Sequence, residues 1–151
     1  MAEGLRDRLI GAWELQEYTA TAEDGTVAFP MGADATGLII YTPDGYMSAQ
    51  LMVQGRPAYA SGDMEGGTAE EQRAATRGYI AYSGPFSVDE ASRTLKDHVS
   101  VNLLPNWIGD TQVRFVQLKG NILTLSAAPM RYGGTPRIPR LIWKRAERHP
   151  A

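Results

Sequence analysis

The stretch GLIIYTPDGYMSAQLMV, residues 37–53, determines the expected fold. Residues 37–42 are rich in the β-branched and aromatic side chains that favour strands, and residues 46–53 return as a second strand. Between them, Pro43 presets its own φ angle and Gly45 tolerates a positive φ, a combination typical of a tight turn. The pattern therefore predicts an antiparallel hairpin.

The rest of the 151-residue chain continues in the same way. Its 16 glycines and 9 prolines favour a turn-rich β protein over a helix bundle. Short connections favour antiparallel neighbours, and closure into a barrel leaves no open sheet edge. We therefore expect an all-β fold, a closed antiparallel barrel of eight to nine strands with one short helix. The further strands are predicted near residues 11–18, 79–88, 94–103, 112–119, 122–127 and 137–145.

The helix is predicted over residues 68–77. Thr68 and Glu71 form a capping box, and Gly78 is a good stop signal. Alanine is its only apolar residue type, so the helix should lie outside the barrel or across one end. A shorter amphipathic segment, residues 5–10, is expected to plug a barrel end. We assign residues 1–146 to the barrel domain and residues 147–151 to a frayed tail.

Composition narrows the range of functions. The net charge is −2 with no basic cluster, which argues against nucleic acid as a partner. No cysteine is present, so a reducing compartment is favoured and thiolate chemistry is excluded. No stretch approaches the roughly 20 apolar residues of a membrane span, and the N-terminus lacks the apolar core of a signal peptide, so we expect a cytoplasmic protein without membrane partners. Neither metal-ligand spacing nor a phosphate-binding loop occurs, so no metal or cofactor is expected.

An ordered set of motifs covers nearly the whole chain. They are GAW (residues 11–13), YTPDGYMSAQLM (41–52), GYIAY (78–82), His98, LPNW (104–107) and LTLS (123–126). This set resembles the bacterial lipocalin-like domain family of calycin-type β-barrels. The resemblance implies a barrel closed around an oily small molecule, and some family members belong to natural-product biosynthesis. It also implies that Trp13 closes the barrel base and stacks with Arg140 or Arg145 from the last strand.

The candidate catalytic residues are Tyr82, Gln50 and His98, whose polar tips could polarise a ligand carbonyl. Two placements are open for His98. It lines the cavity, or it lies on a solvated outer face while Leu95, Val99 and Val101 pack inward. Asp97 cannot pair with His98, because adjacent residues of a strand point to opposite faces. Haem ligation by His98 is a third-ranked alternative.

The candidate ligand-binding residues combine apolar bodies with polar tips. Tyrosines of this kind orient a mostly apolar ligand that has carbonyl groups, and an arginine could bind an acidic head. The loops 54–67 and 130–136 are expected to flank the entrance. The candidates are Tyr41, Ser48, Tyr59, Trp107, Arg114 and Tyr132.

Two functions remain open at this point. The favoured one is a cofactor-free enzyme that binds a polyketide-like molecule and promotes its cyclisation or isomerisation by holding one reactive conformer. The alternative is a non-catalytic carrier or sensor of a hydrophobic metabolite. A buried titratable group with a perturbed pKa would favour the enzyme, and an all-apolar cavity would favour the carrier. The oligomeric state is left open, with a homodimer among the options.

Overall fold

The structure, a computed structural model, describes residues 3–150. It contains two α-helices and eleven strands that belong to one sheet. The elements in chain order are α1 (Leu5–Leu9), β1 (Gly11–Ala22), β2 (Val27–Ala28), β3 (Thr36–Tyr41), β4 (Tyr46–Met52), α2 (Ala69–Arg77), β5 (Tyr79–Asp89), β6 (Thr94–His98), β7 (Val101–Asn102), β8 (Thr111–Lys119), β9 (Ile122–Ser126), β10 (Met130–Tyr132) and β11 (Thr135–Arg145).

Eight of the strands close into an antiparallel barrel, in the order β1-β3-β4-β5-β6-β8-β9-β11. The first and last strands pair with each other along most of their length, from Trp13 opposite Arg145 to Ala22 opposite Arg137. The short strands β2, β7 and β10 extend the sheet beside β1, β5 and β11. The predicted closed barrel is therefore confirmed.

The hairpin predicted over residues 37–53 consists of β3 and β4. Its register runs from Thr36 opposite Met52 to Tyr41 opposite Met47. The Thr42 N–H donates to the Tyr46 carbonyl across the turn, and Gly45 has a φ of 99°, where a side chain would be strained. Alternate residues of both strands are buried inside the barrel, namely Ile39, Tyr41, Met47, Ala49 and Leu51.

One end of the barrel, the base, is closed by α1 and Trp13. Leu5 and Leu9 of α1 are buried, and Trp13 is 0% exposed. The Trp13 Nε1–H donates to the Leu9 carbonyl at 2.9 Å. The Arg145 guanidinium lies 4.2 Å from the centre of the Trp13 ring and donates to the Ile10 carbonyl. The predicted stacking is confirmed, with Arg145 as the cation.

The predicted capping box of α2 is present, with Thr68 and Glu71 capping each other. No residue of α2 is buried, so this helix lies on the outside of the barrel.

Residues 146–150 have no regular secondary structure, and the predicted domain limits at Met1 and Ala151 fall outside the described residues. Between residues 3 and 150, no helix is long and apolar enough to cross a membrane.

The continuous strand predicted over residues 94–103 is wrong, because the chain breaks at Val99 and Ser100 into β6 and β7. The two pieces pair with different parts of β5. A Cβ atom at Gly84 of β5 would lie 1.9 Å from the His98 carbonyl oxygen, so the backbones come together closely at this break. After the break the faces reverse, and Val101 is 62% exposed instead of packing inward.

Replacement of Trp13 by alanine should lower the free energy of unfolding by about 3–5 kcal/mol, because the variant loses a fully buried ring and leaves a cavity at the base. Urea unfolding measures this change. Phe115→Ala is the control, since Phe115 is 48% exposed on the outer face and its loss should cost less than about 1 kcal/mol. Equal midpoints for Trp13→Ala and the parent would contradict the role of Trp13 at the base.

Candidate ligand-binding site

A small cavity lies inside the barrel, toward the end away from α1. Its volume is about 50 Å³. Aliphatic and aromatic side chains form most of the wall, with one arginine among them. The lining residues include Tyr18, Ile39, Leu51, Ile80, Tyr82, Trp107, Arg114, Leu125, Ala127, Tyr132, Leu141 and Trp143.

A wider depression of about 530 Å³ lies over the cavity and shares part of its wall. We call it the vestibule. It is formed by the start of β5, the short helical turn Pro105–Trp107 and β10. The vestibule therefore adjoins the cavity. The residues that line both spaces are Tyr18, Ile80, Trp107, Met130 and Tyr132.

One hydrogen bond and one ring contact lie where the vestibule meets the cavity. The hydroxyls of Tyr18 and Tyr132 are hydrogen-bonded at 2.7 Å, and the rings of Tyr82 and Trp107 meet edge to face at 5.7 Å. Burial raises the pKa of Tyr18 and of Tyr132. Both hydroxyls therefore stay protonated and serve as neutral donors or acceptors.

Asp97 and Arg114 are two buried charged residues on neighbouring strands of the inner face. Asp97 is 1% exposed and Arg114 is 7% exposed. Asp97 lies opposite Gln112 and Arg114 lies opposite Leu95, so the two are diagonal neighbours on one face. Among the described residues, neither carboxylate oxygen of Asp97 has a hydrogen-bond partner.

Burial dominates the electrostatics of this pair. It raises the pKa of Asp97 to about 7, and the positive charge of Arg114 opposes that rise only in part. Burial, reinforced by Asp97, also raises the pKa of Tyr82 to about 12, while Arg114 lowers it. The Tyr82 hydroxyl is thus protonated at neutral pH, whereas Asp97 is close to half ionised.

Two residues that the sequence predicts for the site lie on the outside of the barrel in the structure. Gln50 is exposed on β4, where its side-chain oxygen accepts a hydrogen bond from the Tyr79 hydroxyl. The Ser48 hydroxyl accepts a hydrogen bond from Ser83 at 2.7 Å. Both line an outer surface depression. The prediction that Gln50 lines the cavity is wrong, because the opposite face of β4, with Ala49, packs into the core.

His98 also lies on the outer face. Its ring nitrogens are within hydrogen-bond distance of the Ser87 and Thr111 hydroxyls, at 3.2 and 3.1 Å. Because the strand alternates, it is the neighbouring Asp97 that points inward. The outer placement is therefore the correct one of the two alternatives, and His98 cannot ligate a haem inside the barrel.

Two predicted tyrosines are placed away from the cavity wall. Tyr41 is buried against Phe86, with the ring centres 5.1 Å apart. Tyr59 lines a separate surface depression beside α2, so the loop 54–67 does not flank the vestibule. The predicted residues that the structure does bring together around the cavity are Tyr82, Trp107, Arg114 and Tyr132.

Asp97 is the residue that the sequence argument missed as a site candidate. Leu95, Asp97 and Val99 alternate on one face of the predicted strand, and both apolar members are buried. An acidic residue between two core positions was the signal that could have found it. Within residues 3–150, no group of three or more histidine and carboxylate residues is arranged to hold a metal ion.

A closed antiparallel barrel of eight strands, with its base plugged by a helix and a cavity toward the other end, defines the lipocalin-like class of fold. Residues 10–146 match the lipocalin-like domain family, and the chain belongs to this family. It is also similar to a protein of Aspergillus oryzae named 4'-hydroxy-3'-methoxypropiophenone carrier protein, with 38% identity over 109 residues. The match covers 68% of this chain and 98% of that protein.

Asp97→Asn should remove a pH dependence of stability. The pKa of Asp97 is about 7 in the folded chain, against an ordinary value of 3.8. Between these values the folded state binds a proton that the unfolded state releases, so stability falls as pH rises through this window. At pH 8 the variant should therefore exceed the parent by up to about 4 kcal/mol, a difference that nearly vanishes at low pH. Urea unfolding from pH 4 to pH 8 measures it.

Asp24→Asn is the matched control for this experiment. Asp24 is exposed, and a hydrogen bond from Thr26 lowers its pKa. Its contribution to stability is therefore present above its ordinary pKa and lost only as pH falls below it. We expect the control to follow the parent between pH 5 and pH 8. A difference between Asp97→Asn and the parent that stays constant over this range would contradict the assignment.

Proposed function

We propose that this protein binds a small aromatic ketone in the vestibule and cavity and carries it without chemical change. The observation on which the proposal rests is the wall that the surface vestibule shares with the inner cavity, which contains the buried Arg114. Aromatic and aliphatic walls with a few polar tips are typical of small-molecule sites. The name of the Aspergillus oryzae relative, a carrier of an aryl ketone, supports the same class of ligand.

The polar tips suit such a ligand. Its aromatic ring would lie among the apolar and aromatic side chains that the two spaces share, such as Trp107 and Ile80. An oxygen at its inner end would accept hydrogen bonds from Arg114 and Tyr82, the polar groups in the deeper wall. The walls would thus select for shape, and Arg114 and Tyr82 would fix the orientation.

Entry requires the barrel end to open, because the cavity of about 50 Å³ is smaller than an aryl ketone. The β10 hairpin is suited to this movement. Its strand has three residues and pairs with β11 on one side, and its turn contains Gly133 and Gly134, both with positive φ. Outward movement of β10 would break the hydrogen bond between Tyr18 and Tyr132 and join the two spaces.

A cofactor-free cyclase or isomerase is the second candidate, and Asp97 is the observation that favours it. A buried carboxyl group with a pKa of about 7, near Arg114 and Tyr82, is the kind of group that an acid or base catalyst needs. We place the carrier first because Asp97 does not line the cavity, whereas a general base must come within hydrogen-bond reach of the ligand. Of the catalytic residues predicted from sequence, Tyr82 is the one that remains inside.

Ala127→Leu should weaken binding of 4'-hydroxy-3'-methoxypropiophenone by at least about tenfold, because the larger side chain fills the cavity. Ala127 is 5% exposed and lines the cavity. Ala128→Leu is the matched control, since its neighbour Ala128 is exposed and lies outside the cavity wall. Isothermal titration calorimetry measures both affinities. Equal weakening by the two changes, or by neither, would place the ligand elsewhere.

Mass spectrometry of ligands recovered after incubation separates the two functions. A carrier returns aryl ketones and related polyketide-like molecules unchanged, at one ligand per chain. An enzyme converts one of them, and Tyr82→Phe should then slow the conversion by about 10²–10³-fold while affinity changes little. Conversion of any such molecule at a rate well above that in buffer would overturn the carrier assignment.

Two expectations from the sequence accompany the proposal. The absence of cysteine favours a reducing compartment, and we propose a cytoplasmic location on that ground. A homodimer is one option for the oligomeric state, which sedimentation would measure. The binding site proposed above is complete within one chain.

A further inference from the structure

The position of Asp97 and Arg114 presents an electrostatic problem. Two opposite charges are buried on adjacent strands, yet the carboxylate accepts no hydrogen bond from any described residue. Burying charges without direct pairing is costly. The Arg114 guanidinium donates a hydrogen bond to the carbonyl of its neighbour Val113 at 3.1 Å. A guanidinium has five N–H groups, so others are left for different partners.

The two members of the pair have different access to the ligand site. Arg114 lines the cavity, whereas Asp97 does not. The titratable or charged groups whose charge affects Asp97, or is affected by it, are Arg114, Tyr82 and Tyr41. Both tyrosine hydroxyls are neutral at physiological pH, since burial raises their pKa values. A ligand in the cavity would thus contact the cation Arg114 directly, and among the described residues Asp97 is the one anion next to this cation.

Charge balance then sets what the cavity can accept. The Arg114 guanidinium carries a positive charge. If an anionic oxygen of a ligand hydrogen-bonds to Arg114, two anions face one cation in a region shielded from water. Asp97 relieves this excess by taking up a proton, and its pKa of about 7 means that protonation near neutral pH costs little. The number of buried charges is then the same before and after binding.

We propose that the inner end of the cavity selects an acidic hydroxyl group, a phenol or enol conjugated to a carbonyl, and holds it as the anion against Arg114 while Asp97 holds a proton. The ligand O–H bond breaks, its electron pair stays on the ligand oxygen, and a proton ends on a carboxylate oxygen of Asp97. Conjugation to a carbonyl matters because it spreads the negative charge and makes the hydroxyl acidic. The proposal rests on the proposed binding of an aryl ketone in this cavity.

A pair of ligands tests the proposal directly. 4'-Hydroxy-3'-methoxypropiophenone has an acidic phenol conjugated to its ketone, and 3',4'-dimethoxypropiophenone is its methyl ether without that proton. The phenolate absorbs at longer wavelength than the phenol. At pH 6, where the free phenol is neutral, we expect binding to produce the phenolate absorption band. We also expect the phenol to bind at least about tenfold more tightly than the ether.

Two variants test whether Arg114 holds the ligand anion and whether Asp97 holds the proton. Arg114→Gln should abolish the phenolate band and the preference for the phenol over the ether, and urea unfolding shows that the variant is folded. At pH 8.5 the free ligand and Asp97 are both ionised, so the parent should take up about one proton on binding. Asp97→Asn should take up none. Titration calorimetry in buffers of different ionisation enthalpy counts these protons.

The outcomes separate this proposal from the function on which it rests. If phenol and ether bind equally and no phenolate band appears, the cavity binds aryl ketones but the acidic-hydroxyl proposal is overturned. The same holds if Asp97→Asn takes up as many protons as the parent. If neither ligand binds to the parent, the proposed function fails, and this inference fails with it.

Discussion

The pairing of β1 with β11 is the constraint on which the rest of the structure depends. It converts a meander of strands into a closed barrel, and it places Arg145 over the ring of Trp13 at the base. Once the barrel is closed, each strand has an inner and an outer face, and the alternation of side chains decides which groups a ligand can meet. The base is sealed by α1, so access is left to the end that β10 covers.

The fold could be predicted because its signals are local, whereas the site could be predicted only in part, because it depends on which face of each strand points inward. The hairpin turn at Gly45 and the capping box of Thr68 are set by a few neighbouring residues. The inner face of β3 and β4 is not, because apolar residues occur on both faces. Leu38 and Ile40 are 47% and 40% exposed on the outside. Hydrophobicity therefore does not show which face points inward, and the prediction that Gln50 lines the cavity fails for this reason.

The same ambiguity between inner and outer strand faces explains why the sequence predicts His98 as a site residue and does not predict Asp97. A histidine beside other polar residues suggests chemistry, whereas an aspartate suggests solvent unless its alternate neighbours Leu95 and Val99 are known to be core positions. The register of β6 with β5 and β8 reverses that judgement, because it turns Asp97 toward the core. The break after His98 depends on the close approach of Gly84, which is distant in the chain. Pairing of this kind has no local signature, so the sequence could give the strand but not its break.

The position of Asp97 bears on which function the barrel is suited to. An unpaired buried acid lowers stability at neutral pH, and an apolar residue of similar volume would avoid that cost. Arg114 lines the cavity and Asp97 does not, which suits adjustment of charge better than direct attack on a substrate. If Asp97 takes up a proton when an acidic ligand binds, the affinity depends on pH near neutrality. Such a dependence would serve loading and release by a carrier, and it involves no catalytic step.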